Sequence, residues 1–290
     1  MAVYNKNGIA LNALFNINGI NDSGYLIDGT KIFPSGHDYS DYTISNLFNY
    51  PQSKMQGFAI YNGTIAQVRE GYSLHLIDIE THTKIREVSM DMGHGNSCEF
   101  SDEFYEDGDE FPLFYIRNDG IWVYRIVGTE STLIRKYSFS ANIIGTYVAG
   151  FGIDTENRKL YTASYTTGDY VSKTGQMRIC VWDMDDVTDN GDGTYSMGFL
   201  SSNDFAWFNK YEAVQGCCFH DGLFFISCGY TGTTKQYIVI VDPVTLTIAY
   251  SLFISNGPET EGCAWYYDDY LIIGQKISTY TYRKMTFGAI

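Results

Sequence analysis

The 290-residue chain is poor in positive charge, in proline and in long apolar runs. It carries 19 Lys and Arg against 34 Asp and Glu, a formal net charge of −15, and only five prolines. An acidic field of this size repels nucleic acid and anionic membrane surfaces, so nucleic acid is excluded from the expected partners. No segment approaches the length of a transmembrane helix, and the N-terminus lacks the basic and apolar regions of a signal peptide. We therefore expect synthesis in a host cytoplasm and no membrane insertion.

The cysteines and the acidic segments form no pattern typical of a metal or cofactor site. None of the cysteines forms a C-x-x-C pair, and no histidine pair has zinc-ligand spacing. The acidic segments 102–111 and 189–192 do not match a calcium-binding loop, and their Asp-Gly pairs are typical of turns between strands. We expect no metal, no cofactor, and small apolar packing roles for the cysteines. The cysteines are Cys98, Cys180, Cys217, Cys218, Cys228 and Cys263.

The residues that are abundant favour β-strands. Aromatic residues make up 16% of the chain, with 25 Tyr and 18 Phe. Together with Thr, Ile and Val, these side chains suit the half-buried surface of a pleated sheet. The composition alone thus predicts an all-β fold.

A motif recurs along the chain, formed by a polar or small residue, a glycine and a short apolar run. Each copy continues with a turn, a second apolar strand, a variable loop and a third strand that ends in another turn, such as residues 242–245. Four strands in a unit of about forty to fifty residues are typical of propeller blades, whose innermost strands crowd together where a glycine lets the backbones approach. The motif glycines are Gly57, Gly95, Gly150, Gly216 and Gly262, at spacings of 38, 55, 66 and 46 residues.

This repeat predicts a β-propeller over residues 51–290, with five blades and with six as the alternative. The last copy is followed by too few residues for a fourth strand, and an open sheet edge exposes unpaired backbone groups. We therefore predict that residues 1–50 form an N-terminal arm whose strand closes the ring as the outer strand of the last blade. In the six-blade alternative the same segment forms most of a blade.

Alignment of the copies places polar side chains beside the motif glycines, at or near the mouth of the central channel. Such convergent groups can bind a small polar ligand, for example a sugar or an ion, or they can satisfy one another and channel water. No nucleophile can be paired with the lone histidine of this set, so we expect no catalytic residue. The candidate ligand-binding residues are Gln56, His94, Asn96, Gln215 and Glu261.

Aromatic residues of the insertions and of the last copy are candidates for an exposed binding surface. Aromatic faces stack on sugar rings and anchor protein interfaces. Because neighbouring residues of a strand alternate between its two faces, about half of such aromatics are expected in the core. The surface candidates are Tyr170, Trp207 and Trp265.

Three segments resemble a group of β-propeller proteins from bacteriophages and prophages of gut bacteria. They are VYNKNGIAL with FNINGI near the N-terminus, YPQSKMQGFAIYNGTIAQV from Tyr50, and HGNSCEF with DEFPLFYI from His94 onward. Proteins of that group are associated with phage tails or virions. The resemblance implies a virion location and host-surface recognition, and it brings no catalytic residue with it.

We therefore expect a non-enzymatic phage virion protein, either structural or adhesive and associated with the tail or fibre, that acts through the propeller faces and loops. Its expected partners are other virion proteins, further copies of itself and a host-surface glycan. Two alternatives stay open. One is a propeller-type glycoside hydrolase or carbohydrate-binding protein; a hydrolase needs two carboxylates about 5–10 Å apart, here Glu261 with Asp154 or Glu99. The other is a soluble protein-interaction scaffold.

Overall fold

The computed structural model describes residues 25–27, 30–32, 36–71, 73–167, 175–230, 235–276 and 279–289. Strands account for almost all regular structure in these ranges. The helices described there are a single α-helical turn, α1 (Ala141–Ile144), and one 3-10 turn (Trp207–Asn209). The prediction of an all-β fold is confirmed. No helix within the described residues is long and apolar enough to cross a membrane.

The N-terminal part of the described chain forms a short hairpin and one long strand. The hairpin pairs β1 (Tyr25–Ile27) with β2 (Thr30–Ile32). The long strand, β3 (His37–Tyr50), pairs with the C-terminal strand of the chain and is placed below. Residues 1–24 of the expected N-terminal arm lie outside the described residues.

The middle of the chain forms four antiparallel arrays of four consecutive strands, numbered here as sheets one to four. Sheet one contains β4 (Met55–Tyr61), β5 (Thr64–Arg69), β6 (Ser73–Asp78) and β7 (Lys84–Ser89). Sheet two contains β8 (Cys98–Phe100), β9 (Phe114–Arg117), β10 (Ile121–Val127) and β11 (Glu130–Tyr137). Sheet three contains β12 (Tyr147–Asp154), β13 (Lys159–Tyr165), β14 (Met177–Asp189) and β15 (Tyr195–Phe205). Sheet four contains β16 (Val214–His220), β17 (Leu223–Cys228), β18 (Gln236–Asp242) and β19 (Thr247–Ser255). Single parallel residue pairs join the outer strands of sheets one and two and of sheets two and three.

Sheet five combines the two ends of the described chain. It contains β20 (Glu259–Tyr266), β21 (Tyr270–Lys276), β22 (Tyr280–Ala289) and β3. β3 runs antiparallel to β22, with Tyr50 opposite Tyr280 at one end and His37 opposite Ala289 at the other. The fourth strand of this sheet therefore comes from within residues 1–50, and it covers the backbone groups that β22 would otherwise expose.

We call β4, β8, β12, β16 and β20 the first strands of their sheets. The first strands of consecutive sheets lie against one another. β4 contacts β8, β8 contacts β12, β12 contacts β16, β16 contacts β20, and β20 contacts β4. The motif glycines stand at these contacts: a Cβ atom on Gly57 would lie 2.2 Å from the backbone oxygen of Asn96, and one on Gly216 would lie 2.8 Å from the Cα atom of Gly262. No side chain fits in such spaces, so glycine is required there for backbone to meet backbone.

Each of four first strands carries a β-bulge at its motif glycine. The register shifts between Val148 and Gly150 in β12, and likewise around Gln215 in β16 and Glu261 in β20. In β4 the ladder skips Gln56 and its glycine together. A bulge leaves the extra residue outside the regular alternation of side chains between the two faces of the sheet. The direction of the side chain before the glycine therefore cannot be read from its position in the strand.

The second copy of the motif is built differently. Gly95 precedes β8, has a φ of +64°, and accepts a hydrogen bond from the backbone N–H of Gly57. Just before β8 the corresponding contact is made by a side chain, because Ser97 Oγ accepts hydrogen bonds from the backbone N–H of Phe151 (3.1 Å) and of Cys217 (3.3 Å). The serine hydroxyl thus connects β8 to two other first strands.

Apolar side chains fill the spaces between sheets. Five buried clusters join sheets one and two, two and three, three and four, four and five, and five and one. In the cluster between sheets five and one, the rings of Phe58 and Tyr282 meet edge to face at 5.3 Å. In the cluster between sheets three and four, Tyr161 stacks on Phe219 at 5.0 Å. Burial of such aromatic pairs is a main source of stability in this fold.

Candidate functional site

A cavity of about 110 Å³ lies where the first strands of sheets three, four and five begin. Because it lies at the N-terminal ends of these strands, we call it the N-terminal cavity. Its lining comes from the start of these strands and from the segment before β8, which places polar, charged and aromatic side chains around one space. The polar and charged lining residues are His94, Asn96, Arg117, Gln215 and Glu259, and the rings are those of Tyr147 and Tyr230.

A chain of hydrogen bonds between side-chain amides, the amide relay, crosses this cavity, and each of its donors and acceptors can be assigned. Gln215 Nε2 donates to the backbone oxygen of Gly229 (3.0 Å) and to Glu259 Oε1 (2.6 Å), both of which are acceptors. Gln215 Oε1 must then accept, and it does so from Asn96 Nδ2 at 2.7 Å. The relay therefore ends on Asn96 Oδ1, an acceptor that is buried and has no hydrogen-bond partner within the described residues.

Gln56 lies in the interior beside this region and is fully buried. Its backbone oxygen accepts hydrogen bonds from Gln67 Nε2 and from Tyr280 Oη, each at 2.8 Å. Both polar atoms of its side chain are buried without a partner in the part of the chain that the structure describes. An unpaired buried polar group costs about 1–3 kcal/mol, so these atoms and Asn96 Oδ1 mark a region that lacks hydrogen-bonding groups.

Glu261 is the most perturbed carboxyl beside the cavity. Only 2% of its side chain is exposed, and Lys276 Nζ lies 3.3 Å from its Oε1 atom. Burial raises the pKa of Glu261 to about 8; the nearby Glu259 adds to this rise and Lys276 opposes it. At pH 7 the Glu261 carboxyl is therefore largely protonated and can act as a hydrogen-bond donor.

His94 lies at the rim of the cavity. Its Nδ1 atom is 2.9 Å from Glu70 Oε1, and about half of its side chain is exposed. Exposed pairs of this kind contribute about 1 kcal/mol or less. His94 thus has a carboxylate partner on the surface, and no serine or cysteine nucleophile is placed with it in the described lining.

The structure brings three of the five expected site residues together. His94, Asn96 and Gln215 line the N-terminal cavity, whereas Gln56 and Glu261 do not line it and lie buried beside it. The sequence analysis missed Glu259, although it stands two residues before Glu261 in the same motif copy. It also missed Arg117, which comes from β9 rather than from a motif segment and donates from Nε to the backbone oxygen of Val148 at 2.9 Å.

The prediction of an exposed aromatic surface is wrong for two of its three residues. Trp207 is completely buried, and its Nε1 atom donates to the backbone oxygen of Glu212 at 2.6 Å. Trp265 is 8% exposed and stacks on His220 at 4.2 Å. The 3-10 turn folds the first indole into the core of sheets three and four, and the second lies inside a separate cavity described below. Tyr170 lies outside the described residues.

The acidic segment 102–111 is neutralised by arginines. Asp109 and Glu106 pair with Arg125, and Glu110 pairs with Arg86. The pKa of Asp109 is lowered mainly by its hydrogen bond from Arg125. Within the described ranges no group of three His, Cys, Asp or Glu side chains could hold a metal ion. This loop is therefore tied to the sheets by ion pairs.

All six cysteines are buried and unpaired as disulfides. Cys218 and Cys263 stand in neighbouring first strands, with their sulfur atoms 3.7 Å apart. Burial raises the pKa of the Cys98 and Cys217 thiols well above the ordinary value, and a thiol of raised pKa is a poor nucleophile.

Comparison with known proteins identifies the type of fold and assigns the chain to no family. No protein-family description matches the chain, and no curated protein matches it. Among solved structures it is similar to a crystal structure of Myxococcus xanthus glutaminyl cyclase, at 12% identity over 84% of this chain and 97% of that one, with a TM-score of 0.54. It is also similar to Kuenenia stuttgartiensis hydrazine synthase, at 14% identity over 79% of this chain and 57% of that one, with a TM-score of 0.42.

Identities this low bear on the fold alone. Together with the four-stranded sheets, the comparison to the cyclase structure establishes an all-β, propeller-like fold for this chain. The chemistry of the site must be argued from its own residues.

Proposed function

We propose that this chain is a recognition module: a closed, five-bladed β-propeller that binds a small, uncharged polar ligand in its N-terminal cavity. Two observations support closure into five blades. Each first strand contacts the first strands of both neighbouring sheets, so that the contacts return from β20 to β4, and an apolar cluster joins sheet five to sheet one. β3 then acts as the outer strand of the fifth blade.

The unpaired Asn96 Oδ1 carries the ligand proposal. The amide relay forces this oxygen to be the terminal acceptor, next to a cavity, with no donor among the described residues. A hydroxyl or amide N–H of a ligand supplies the missing donor. Arg117 and Glu259, which also line the cavity, offer one charged donor group and one acceptor to further hydroxyl groups.

A sugar unit has the chemistry that these groups recognise. Its hydroxyl groups both donate and accept, and the rings of Tyr147 and Tyr230 in the lining offer apolar faces for its C–H groups. The phage resemblance of the sequence makes a host-surface glycan the natural source of such a unit, with the propeller carried in the virion tail. Mass spectrometry of purified virions tests that location, and absence of the chain from the particles would contradict it.

Binding can be tested with neutral monosaccharides by ligand-observed NMR. The variant Asn96→Ala removes the terminal acceptor, and we expect it to weaken binding of a positive sugar at least tenfold, roughly the 1.4 kcal/mol of one good hydrogen bond. The matched control is Asn142→Ala, which changes an exposed asparagine of α1 and should bind as the unchanged protein does. Equal binding by Asn96→Ala, or no binding of any neutral sugar at tens of millimolar, would contradict the proposal.

A second candidate function is catalysis at Glu261. A buried carboxyl whose pKa is raised to about 8 is suited to proton transfer near neutral pH. Glu261 stands near the start of β20, whereas its expected partners Glu99 and Asp154 stand toward the opposite ends of the first strands, which does not favour a glycosidase pair across one bond. Because the compared structure is a glutaminyl cyclase, glutaminyl peptides are the first substrates to assay by mass spectrometry. Turnover that survives Glu261→Gln would exclude Glu261 as the catalyst.

A further inference from the structure

A second cavity, of about 340 Å³, lies at the opposite ends of the first strands. Because it lies at the C-terminal ends of these strands, we call it the C-terminal cavity. All five first strands, or the residues directly after them, contribute to its lining, and it shares no described lining residue with the N-terminal cavity. In four of the five first strands the motif glycine stands between the two ends of the strand. The C-terminal cavity is therefore a separate site, and a proposal about it does not depend on ligand binding at the other end.

The lining of this cavity carries acidic groups and no described lysine or arginine. Glu99, Asp102 and Asp268 supply carboxyl groups. Burial lowers the pKa of His220, so that its imidazole is neutral at pH 7 despite the nearby Asp268. Above pH 8, where Glu99 is ionised, a concave surface of one charge sign, in a chain of net charge −15, focuses a negative potential and concentrates cations.

Glu99 is held at the floor by the backbones of two other sheets. Its Oε2 atom accepts a hydrogen bond from the N–H of Ile153 at 2.7 Å, and its Oε1 atom accepts one from the N–H of Phe219 at 3.1 Å. These bonds fix the carboxyl between β8, β12 and β16. A carboxylate oxygen has a second lone pair, so each oxygen can accept one more donor from the cavity.

Aromatic rings form the walls around this carboxyl. Tyr61, Phe100, Phe219 and Tyr267 line the cavity together with Trp265. Rings of this kind attract an organic cation through their faces. Trp265 is 8% exposed, and its Nε1 donor is buried without a partner among the described residues. Because this indole N–H is a donor and an ammonium group has no lone pair to accept it, Trp265 contributes packing to the wall and no hydrogen bond to a cation.

We propose that the C-terminal cavity binds an organic ammonium group, which donates to the Glu99 carboxylate and packs against the surrounding rings. The bound group neutralises a partly buried carboxyl that forms no ion pair in the described part of the chain. Hydrated metal ions fit the site less well, because the walls are apolar and the described residues provide no cluster of metal ligands.

The bound cation competes with a proton on Glu99. Burial raises the pKa of this carboxyl to about 8, the charge of Asp154 adds to the rise, and the two backbone donors oppose it. The site should therefore be tested at pH 8.5, where the carboxyl is mostly ionised. Other titratable or charged groups around it are Cys98, Asp102, Arg158, Cys217, Cys218 and His220.

The test compares 2-phenylethylammonium with 2-phenylethanol, which has the same shape and no charge. Binding is measured by chemical-shift titration of the full chain at pH 8.5 and low salt. We expect saturable binding of the amine and at least tenfold weaker binding of the alcohol. Equal affinities, or no saturable binding of the amine at millimolar concentration, would overturn the proposal whether or not a sugar binds at the N-terminal cavity.

Variants assign the binding to this cavity. Glu99→Gln should weaken amine binding at least tenfold, although it also turns one acceptor into a donor that faces a backbone N–H. Asp268→Asn avoids that difficulty because the Asp268 side chain is 92% exposed, and loss of this rim charge should weaken binding about threefold. The matched control Glu156→Gln removes an exposed carboxylate just beyond β12 that does not line the cavity, and it should leave the affinity unchanged. Unchanged affinity in Asp268→Asn and in a folded Glu99→Gln would overturn the assignment.

Discussion

The buried carboxyl of Glu261 predicts a specific loss of stability at alkaline pH. In the folded chain its pKa is about 8, against an ordinary value of 4.5. Between these two values the unfolded chain releases the proton while the folded chain keeps it. The unfolded state then binds fewer protons than the native state, so the free energy of unfolding falls as the pH rises from 4.5 and levels off above 8.

The size of the effect follows from the two pKa values. Each pH unit between them costs about 1.4 kcal/mol, so about 4 kcal/mol is lost between pH 5 and pH 9 through this one group. Glutamine has the shape of the protonated acid and does not ionise. Glu261→Gln should therefore match the unchanged chain near pH 4.5 and exceed its stability by about 4–5 kcal/mol at pH 9.

Urea denaturation of both proteins at several pH values measures this difference. Glu99 also has a raised pKa, but it is present in both proteins and cancels in the comparison. Glu130→Gln changes an exposed carboxyl at the start of β11 and serves as the control, with a curve parallel to that of the unchanged chain. A difference between Glu261→Gln and the unchanged chain that does not vary with pH would refute the reasoning, because it would mean that Glu261 ionises normally in the fold.

Two further predictions concern the packing of the sheets. Gly57→Ala places a methyl group 2.2 Å from a backbone oxygen and should lower the free energy of unfolding by about 3 kcal/mol. Gly63→Ala, in a turn with a φ of +75° and open space around it, should cost about 1 kcal/mol; similar losses in urea denaturation would contradict the close backbone contact. Deletion of residues 1–50 removes β3 and exposes the edge of β22, so light scattering should show aggregation. A permuted chain with residues 37–50 moved behind β22 by a linker should scatter no more light than the unchanged chain, and its aggregation would contradict the role of β3 as an edge strand.

The repeated sheets could be predicted because short-range chemistry defines them. Asn62-Gly63 and Asp221-Gly222 have positive φ at both residues, the geometry of tight hairpin turns that such pairs favour. The motif glycines follow from the need for backbone approach at the contacts between first strands. Pairing of β3 with β22 followed from the incomplete last copy and the cost of an open sheet edge.

The site could be predicted only in part, because its members come from different structural classes. Gln215 and Asn96 belong to motif copies and were found. Arg117 belongs to a second strand, and Tyr230 follows the second strand of sheet four, where the motif gives no signal. Trp207 was misplaced because an insertion reads as a surface loop, while its 3-10 turn and the hydrogen bond to Glu212 return the indole to the core.

Distances between spin labels test most directly whether the sheets form a closed ring. Cysteines for labelling can replace exposed residues on outer strands, with Lys84 in sheet one, Thr132 in sheet two, Ser201 in sheet three and Ser45 in sheet five. In a closed five-membered ring, the distance from Ser45 to Lys84 matches that of a neighbouring pair such as Lys84 to Thr132. It is also shorter than the distance from Lys84 to Ser201. A Ser45 to Lys84 distance longer than the Lys84 to Ser201 distance would show an open arc and contradict the proposed propeller.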